Sequence, residues 1–119
     1  MKFRHITINV KDLEASIAFY EEVADLKVAR RLESGPAKLA FLHHEEGDTE
    51  VELLQFPDRE FSGKGMFLCF ECDTLDSMHA LVTAKKLNPS PIQEPDDGSR
   101  YFYVYDPDGV SVQLREWPV

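Results

Sequence analysis

The chain aligns with itself at one fixed offset, which restricts the folds open to it. His5 aligns with Met66 (66 − 5 = 61), Glu52 aligns with Gln113 (113 − 52 = 61), and residues 51–53 align with residues 112–114. A period of this length indicates a duplicated supersecondary unit, so the two halves should share one fold. The chain has 119 residues, the length of one ordinary domain, and we expect both halves to belong to that domain.

The first half, residues 1–56, is predicted to be a βαβββ unit. Residues 5–10 alternate polar and apolar side chains, as a strand with one buried face does. Asp12 is placed to cap a helix whose apolar residues recur at helical spacing up to about Val23. Three strand-like runs follow, at residues 26–32, 38–43 and 50–56.

The second half repeats this order after a polar linker at residues 57–65. Asp73 is the expected N-cap of a helix that ends near Leu87, because the prolines that follow prevent its continuation. Strands are predicted at residues 66–71, 92–93, 100–105 and 110–116. The two modules, residues 1–56 and 66–119, predict an α+β protein with a curved, eight-stranded mixed sheet in a single domain.

One face of that sheet should line a cavity, since a helix covers the other face of each module. Strand alternation places His5 and Glu52 of the first module on this face, and Met66 and Gln113 of the second. These four side chains are candidates to converge. Eight further side chains are expected to share the face: Thr7, Asn9, Glu50, Leu54, Leu68, Phe70, Ser111 and Arg115. Tyr103 is either a further lining residue or a packing residue.

Charge and cysteine usage exclude several classes of function. The chain carries 13 basic and 22 acidic residues, and its net charge of −9 would repel a nucleic acid backbone. No apolar run reaches the roughly 18 residues of a membrane span, so we expect a cytoplasmic protein without a membrane partner. Cys69 and Cys72 form a single C-x-x-C motif, which favours two reduced thiols over a redox or zinc site.

Two pairs of charged or titratable residues in the first half are predicted to be ordinary surface residues. Arg30 and Arg31 form a pair rather than a basic stripe, which is typical of a solvated face. His43 and His44 fall in or beside a hairpin turn, where solvated loop histidines are common.

Several segments of the chain resemble one known superfamily. They are Val-Lys-Asp-Leu-Glu at residues 10–14, Phe19-Tyr20, Val-Glu-Leu at 51–53, and Tyr-Val-Tyr-Asp-Pro-Asp-Gly at 103–109 with Val-Gln-Leu at 112–114. The pattern is similar to the glyoxalase I, bleomycin-resistance and extradiol-dioxygenase superfamily, also called vicinal oxygen chelate proteins. The resemblance implies a divalent metal held at the positions of His5, Glu52, Met66 and Gln113, and a protein that forms a homodimer.

The chain departs from the metal-binding pattern of bacterial glyoxalase I at two of these four positions. Met66 stands where that pattern has histidine, and a thioether is a poor ligand for Ni²⁺, Zn²⁺ or Mn²⁺. Gln113 replaces a carboxylate, which leaves Glu52 as the acidic candidate for a catalytic base.

Two functions remain open. One is a glyoxalase-like lyase with a metal at His5, Glu52 and Gln113, acting on a small vicinal-oxygen substrate. The other is a metal-free small-molecule binding or bleomycin-type resistance protein on the same fold.

Overall fold

The computed structural model describes residues 1–58 and 65–118, so most of the predicted linker lies outside the described residues. The chain divides into two compact units, Met1–Ser62 and Gly63–Val119. Each unit combines one helix with one sheet of mixed strand direction, which confirms the predicted α+β class. In the part of the chain that the structure describes, neither helix is long and apolar enough to cross a membrane.

The first unit contains a four-stranded sheet with the order β1-β4-β3-β2. Its elements are β1 (His5–Asn9), α1 (Leu13–Val23), β2 (Lys27–Ser34), β3 (Ala37–His43) and β4 (Glu50–Gln55). β1 runs parallel to β4, and the other two pairings are antiparallel. The four strands and the helix correspond to the predicted βαβββ order.

The core of the first unit lies between α1 and one face of the sheet. Asp12 caps the helix as predicted, since its Oδ1 accepts from the Ala15 backbone N–H at 3.1 Å. The helix buries an apolar stripe against alternate strand residues, which include Ile8, Ala40 and Leu53. The residues between them point to the opposite face, which is polar.

The second unit contains β5 (Phe67–Glu71), α2 (Leu75–Ala84), β6 (Arg100–Tyr105) and β7 (Ser111–Glu116). Its sheet has the order β5-β7-β6, with β5 parallel and β6 antiparallel to β7. This is the order of the first sheet without its fourth strand. The core packs against α2, where the His79 ring meets the Phe102 ring edge-on at 4.9 Å between centroids.

The predicted eight strands become seven in the described residues, because residues 92–93 form an isolated bridge instead of a strand. Gln93 and Tyr101 exchange backbone hydrogen bonds of 2.8 and 3.0 Å. Pro91 and Pro95, on either side of this bridge, have no backbone N–H to donate to a ladder. The prolines therefore limit the pairing to a single point.

The second helix differs from its prediction at both ends. It begins after Thr74, not Asp73, and the Thr74 side chain makes no capping hydrogen bond. It ends at Ala84, before the predicted Leu87, and Lys86 then adopts a left-handed φ of 61°. A left-handed residue cannot continue a right-handed helix, so the chain turns away at this point.

Candidate functional site

The face of the first sheet that points away from α1, here called the polar face, carries most of the candidate site. Strand pairing aligns its side chains in rows: Thr7 lies beside Glu52, which lies beside Phe41. His5 lies beside Glu50 in the neighbouring row. Besides the apolar Leu39 and Leu54, the polar face includes His5, Thr7, Asn9, Arg30, Phe41, His43, Glu50 and Glu52.

His5 and Glu52, both predicted as metal ligands, meet on this face. His5 Nε2 lies 3.8 Å from Glu52 Oε1, and the His5 side chain is 43% exposed. Thr7 Oγ1 donates a hydrogen bond to the same carboxylate oxygen. An imidazole and a carboxylate that face one another in this way fit two ligands of one divalent ion.

No group of three His, Cys, Asp or Glu side chains suited to a metal ion occurs in residues 1–58 and 65–118. An ion at His5 and Glu52 would take its other ligands from different side-chain types, from water or from substrate. Asn9, further along β1, has a buried Oδ1 without a hydrogen-bond partner in the described chain. β1 therefore contains a buried hydrogen-bond acceptor that no described residue pairs.

A second cluster on the polar face consists of Arg30, His43 and Glu50. Arg30 makes two hydrogen bonds to the Glu50 carboxylate, of 3.2 and 3.0 Å. His43 Nδ1 lies 3.2 Å from Glu50 Oε2. The buried carboxylate of Glu50 on β4 thus contacts Arg30 of β2 and His43 of β3.

The prediction of a solvated loop residue is wrong for His43. His43 is the last residue of β3, and its side chain is only 16% exposed. His44 follows the strand and is 63% exposed, as predicted for both. Arg30 is 46% exposed, in keeping with a surface position, although its guanidinium is held by Glu50.

Glu50 is the functional candidate that sequence reasoning left unassigned. Burial alone would raise the pKa of its carboxyl, but the hydrogen bonds and charge of Arg30, assisted by His43, hold that pKa below its ordinary value. The carboxylate therefore stays charged at neutral pH. Strand alternation had placed Glu50 on this face, two residues before Glu52, but assigned it no role.

Phe41 connects the two clusters. The edge of the His5 ring meets the Phe41 ring at 5.4 Å between centroids. The Arg30 guanidinium carbon lies 4.0 Å from the centre of the same ring, a cation–π contact. An aromatic side chain thus contacts one member of the His5–Glu52 pair and one member of the Arg30–Glu50 pair.

In the second unit, Gln113 is buried and already hydrogen-bonded. Its Nε2 donates to the Tyr103 hydroxyl at 3.1 Å, and only 3% of the residue is exposed. The Tyr103 ring also meets Phe67 edge-on at 5.4 Å. Since the amide nitrogen is engaged with Tyr103, the side-chain oxygen of Gln113 is the group suited to a metal.

Arg115 is fixed by two polar and two aromatic contacts. Its Nη2 donates to Asp97 Oδ2 at 3.0 Å and to Ser99 Oγ at 2.8 Å. Its guanidinium carbon also lies 4.8 Å from the Tyr101 ring centre and 4.4 Å from that of Trp117. These contacts make Arg115 a preorganised cation on the sheet of the second unit.

The predicted face for Met66, Leu68 and Phe70 is wrong. Cys69 pairs with Gln113, so Leu68 and Phe70 point to the opposite side of the sheet, beside Val112 and Leu114. Met66 precedes β5 and is not part of the strand. A shift of one residue exchanges the two faces of a strand, and the gapless alignment of the halves contained such a shift.

The offset between the two halves changes along the chain. β1 opens at His5 and β5 at Phe67 (67 − 5 = 62), and the helices open at Leu13 and Leu75 (75 − 13 = 62). β4 and β7, by contrast, open at residues 50 and 111 (111 − 50 = 61). Phe67 is therefore the structural counterpart of His5. The ring contacts of the two units agree with this assignment. The His5 and Phe41 ring centroids lie 5.4 Å apart, and so do those of Phe67 and Tyr103.

The two cysteines are both free thiols. Cys69 is exposed and Cys72 is partly exposed. Burial raises the pKa of the Cys69 thiol above its ordinary value, while Arg115 opposes the shift and Glu71 adds to it. A raised pKa lowers the thiolate fraction, which is the reverse of what a redox centre needs.

Comparison with known proteins identifies relatives of this chain. The family model described as Glyoxalase/Bleomycin resistance protein/Dioxygenase superfamily matches residues 2–114. The uncharacterized protein YwbC of Bacillus subtilis (strain 168) is 38% identical over 117 residues, covering 92% of this chain and 93% of YwbC.

Solved structures share the fold at lower sequence identity. The trypanothione-dependent glyoxalase I of Leishmania major superposes with a TM-score of 0.75 at 24% identity, covering 96% of this chain and 85% of that one. The fosfomycin resistance protein FosX of Listeria monocytogenes, in complex with Mn(II) and sulfate, gives a TM-score of 0.77 at 18% identity, covering 99% and 93%. At these identities the likeness concerns the fold alone.

Proposed function

Because the chain belongs to the Glyoxalase/Bleomycin resistance protein/Dioxygenase superfamily, we propose that it is a glyoxalase-like lyase that uses a divalent metal ion. The ion would be Ni²⁺, Zn²⁺ or Mn²⁺, and the substrate a small molecule with neighbouring oxygens. The observation that carries this proposal is the pairing of His5 with Glu52, whose Nε2 and Oε1 atoms lie 3.8 Å apart on adjacent strands. FosX, which shares the fold, is described with Mn(II).

His5 and Glu52 would hold the ion, and Gln113 is proposed as a third ligand on the strength of the family resemblance alone. A bound divalent ion supplies Lewis-acid polarisation of substrate oxygens. Glu52 is the proposed base, and the hydrogen bond from Thr7 fixes the rotamer of its carboxylate.

The metal test compares Glu52 with a strand glutamate outside the proposed site. Protein purified without chelator should contain near-stoichiometric metal and gain thermal stability with added Ni²⁺, Zn²⁺ or Mn²⁺. Glu52→Ala should lose both properties, whereas Glu33→Ala, at an exposed position of β2, should keep them. If the Glu52→Ala protein still binds metal and is still stabilised by it, the proposed metal site is wrong.

The activity test uses the hemithioacetal of methylglyoxal and glutathione as a probe, followed by ultraviolet absorbance of the thioester product. Turnover that depends on added metal supports the lyase.

We also propose that the protein is a homodimer. Light scattering after size-exclusion chromatography measures its mass directly.

A metal-free small-molecule binding protein is the second candidate. It is favoured by one feature of the second unit: the counterpart of His5 is Phe67, whose side chain has no ligand atom. This function predicts no metal uptake in the elemental analysis. It also predicts that added metal stabilises neither the parent protein nor Glu52→Ala.

A further inference from the structure

A cleft of about 530 Å³ opens in the first unit. It is lined by the segment that precedes β1, by Ala29 and Arg30 of β2, by His43 of β3, and by the turn that leads into Glu50 of β4. Cavities of this volume accommodate small organic ligands. The charges of the lining indicate which kind of ligand the cleft would accept.

Three residues of the lining already contact one another. Arg30 donates hydrogen bonds of 3.2 and 3.0 Å to the Glu50 carboxylate, and His43 Nδ1 lies 3.2 Å from Glu50 Oε2. The negative charge of Glu50 is thus balanced within the protein. The charge of a ligand must be selected by other side chains of the cleft.

Four further charged side chains line the cleft, and none of them forms an ion pair with another described residue. Two are cations, Lys2 and Arg4, from the segment that precedes β1. Two are anions, Glu46 and Asp48, from the turn between β3 and β4. The cleft therefore presents charges of both signs that the protein itself leaves unpaired.

Hydrogen bonds fix the two charged segments beside one another. The Glu50 N–H donates to the Arg4 carbonyl at 2.9 Å, and Thr49 Oγ1 donates to the Phe3 carbonyl at 2.9 Å. The segment with the two cations is thus anchored along the end of the turn with the two anions. A ligand would meet walls that are already in place, which lowers the entropic cost of binding.

This distribution of charge favours a ligand that carries both signs. A simple anion that contacts Lys2 and Arg4 is repelled by Glu46 and Asp48, and the two cations repel a simple cation. A zwitterion can place each of its charges beside the opposite charge of the cleft. Phe3, which is 67% exposed, offers an apolar surface to the uncharged part of such a ligand.

We propose that this cleft binds a short peptide with a free ammonium group and a free carboxylate. The two cations contact the carboxylate, the two anions contact the ammonium group, and Phe3 contacts an apolar side chain. The cations and the anions belong to different segments, so the two charges of the ligand must be separated, as they are in a peptide and not in a single amino acid. This site goes beyond the proposed lyase function, because it uses neither His5 nor Glu52.

The test compares three forms of one probe, the dipeptide alanylphenylalanine, on chelator-treated protein at neutral pH. Chemical shifts of ¹⁵N-labelled protein measure the affinity, and the largest changes should fall on the backbone amides of residues 46–50. The N-acetylated dipeptide lacks the ammonium charge, and the C-terminal amide lacks the carboxylate charge. Each should bind at least about threefold more weakly than the free dipeptide, because each loses one set of ionic contacts.

Two variants assign the charges to opposite ends of the ligand. Arg4→Gln should weaken binding of the free and acetylated dipeptides and leave that of the amide unchanged. Glu46→Gln should weaken binding of the free dipeptide and the amide and leave that of the acetylated form unchanged. Glu33→Gln and Lys38→Gln, at exposed positions of β2 and β3, should change none of the three affinities.

Several outcomes would overturn the proposal. Absence of saturable binding up to about 10 mM dipeptide would exclude the site, and equal affinity for all three forms would exclude recognition of a zwitterion. Tightest binding of the acetylated form would identify an anion site, and tightest binding of the amide a cation site. Glu52→Ala should bind the dipeptide like the wild type, so failure of the proposed metal site leaves this result unaffected.

Discussion

Two arginine–glutamate pairs in the first unit share a bidentate geometry and differ in burial. Arg30 binds Glu50, whose side chain is 9% exposed, and Arg31 binds Glu14, whose side chain is 69% exposed. Both pairs join residues that are distant in sequence, so sequence separation gives no sign of either. The difference in solvent access predicts different energetic roles for the two glutamates.

Replacing each glutamate by glutamine separates the two roles. Glu50→Gln should lower the free energy of unfolding by about 1.5 kcal/mol, because a paired, buried charge is lost while Arg30 stays half exposed. Glu14→Gln should change it much less, because an exposed ion pair is screened by solvent and contributes little to stability. Urea denaturation monitored by circular dichroism measures both. Equal effects of the two substitutions would contradict a special role for Glu50.

Glu50 also predicts a pH dependence of stability. The pKa of its carboxyl in the folded protein lies below the ordinary value of 4.5, so its contribution is complete above that value and is lost as pH falls through the folded pKa. As the pH is lowered from neutrality through this range, the wild type should therefore lose more stability than Glu50→Gln. Urea denaturation at several pH values measures the difference, and parallel stability curves would show that Glu50 has no shifted pKa.

At the scale of elements, the two helices begin in different ways. Asp12 accepts a capping hydrogen bond from Ala15 N–H, whereas Thr74 makes no such bond at the start of α2. Both residue types are favoured N-caps in sequence statistics, and only the side-chain conformation distinguishes them. This is why the residue pattern predicted the first helix start correctly and placed the second one residue early, at Asp73.

Alanine substitutions at the two caps give a matched comparison. Asp12→Ala should cost about 1 kcal/mol, the usual value of a lost cap, and lower the melting temperature by about 4 °C. Thr74→Ala should cost less than about 0.3 kcal/mol, since no capping bond is lost. Thermal melts of both variants check the prediction, and an equally large effect at Thr74 would contradict the capping assignment.

At the scale of the whole molecule, the duplication could be predicted from sequence and its exact register could not. Alternation and helical spacing located the strands and helices of both halves to within a few residues. The alignment of Glu52 with Gln113 holds, because β4 and β7 keep the original offset (111 − 50 = 61). The alignment of His5 with Met66 does not hold. Strand pairing joins residues that are distant in sequence, and it decides which side chain lies beside Gln113.

The site was predictable where it depended on one strand and its neighbour. His5, Thr7 and Glu52 lie together as alternation requires. The contacts of Arg30 and His43 with Glu50 were not predicted. They depend on the burial of Glu50 and on the bulge in β2, and a single sequence shows neither.

The register predicts which histidine would rebuild a metal-ligand pair in the second unit. Phe67→His together with Gln113→Glu should reproduce there the relation of His5 to Glu52, and should strengthen Ni²⁺ binding at least about tenfold. Met66→His with Gln113→Glu should give a smaller gain, because Met66 lies outside β5. Isothermal titration calorimetry of both double variants measures the difference, and the reverse ranking would refute Phe67 as the counterpart of His5.

The one-residue difference between the halves falls in the hairpin turns, with residues 44–49 in the first half and 106–110 in the second. In the shorter turn, Asp106 Oδ1 accepts from the backbone of Asp108 and Val110 at 2.8 and 2.9 Å. A difference of one residue in this turn leaves both ladders in register, whereas the same difference inside β7 would exchange the faces of its residues and point Gln113 toward α2. The turns can therefore differ in length without changing which side chains share a sheet face, and the strands cannot.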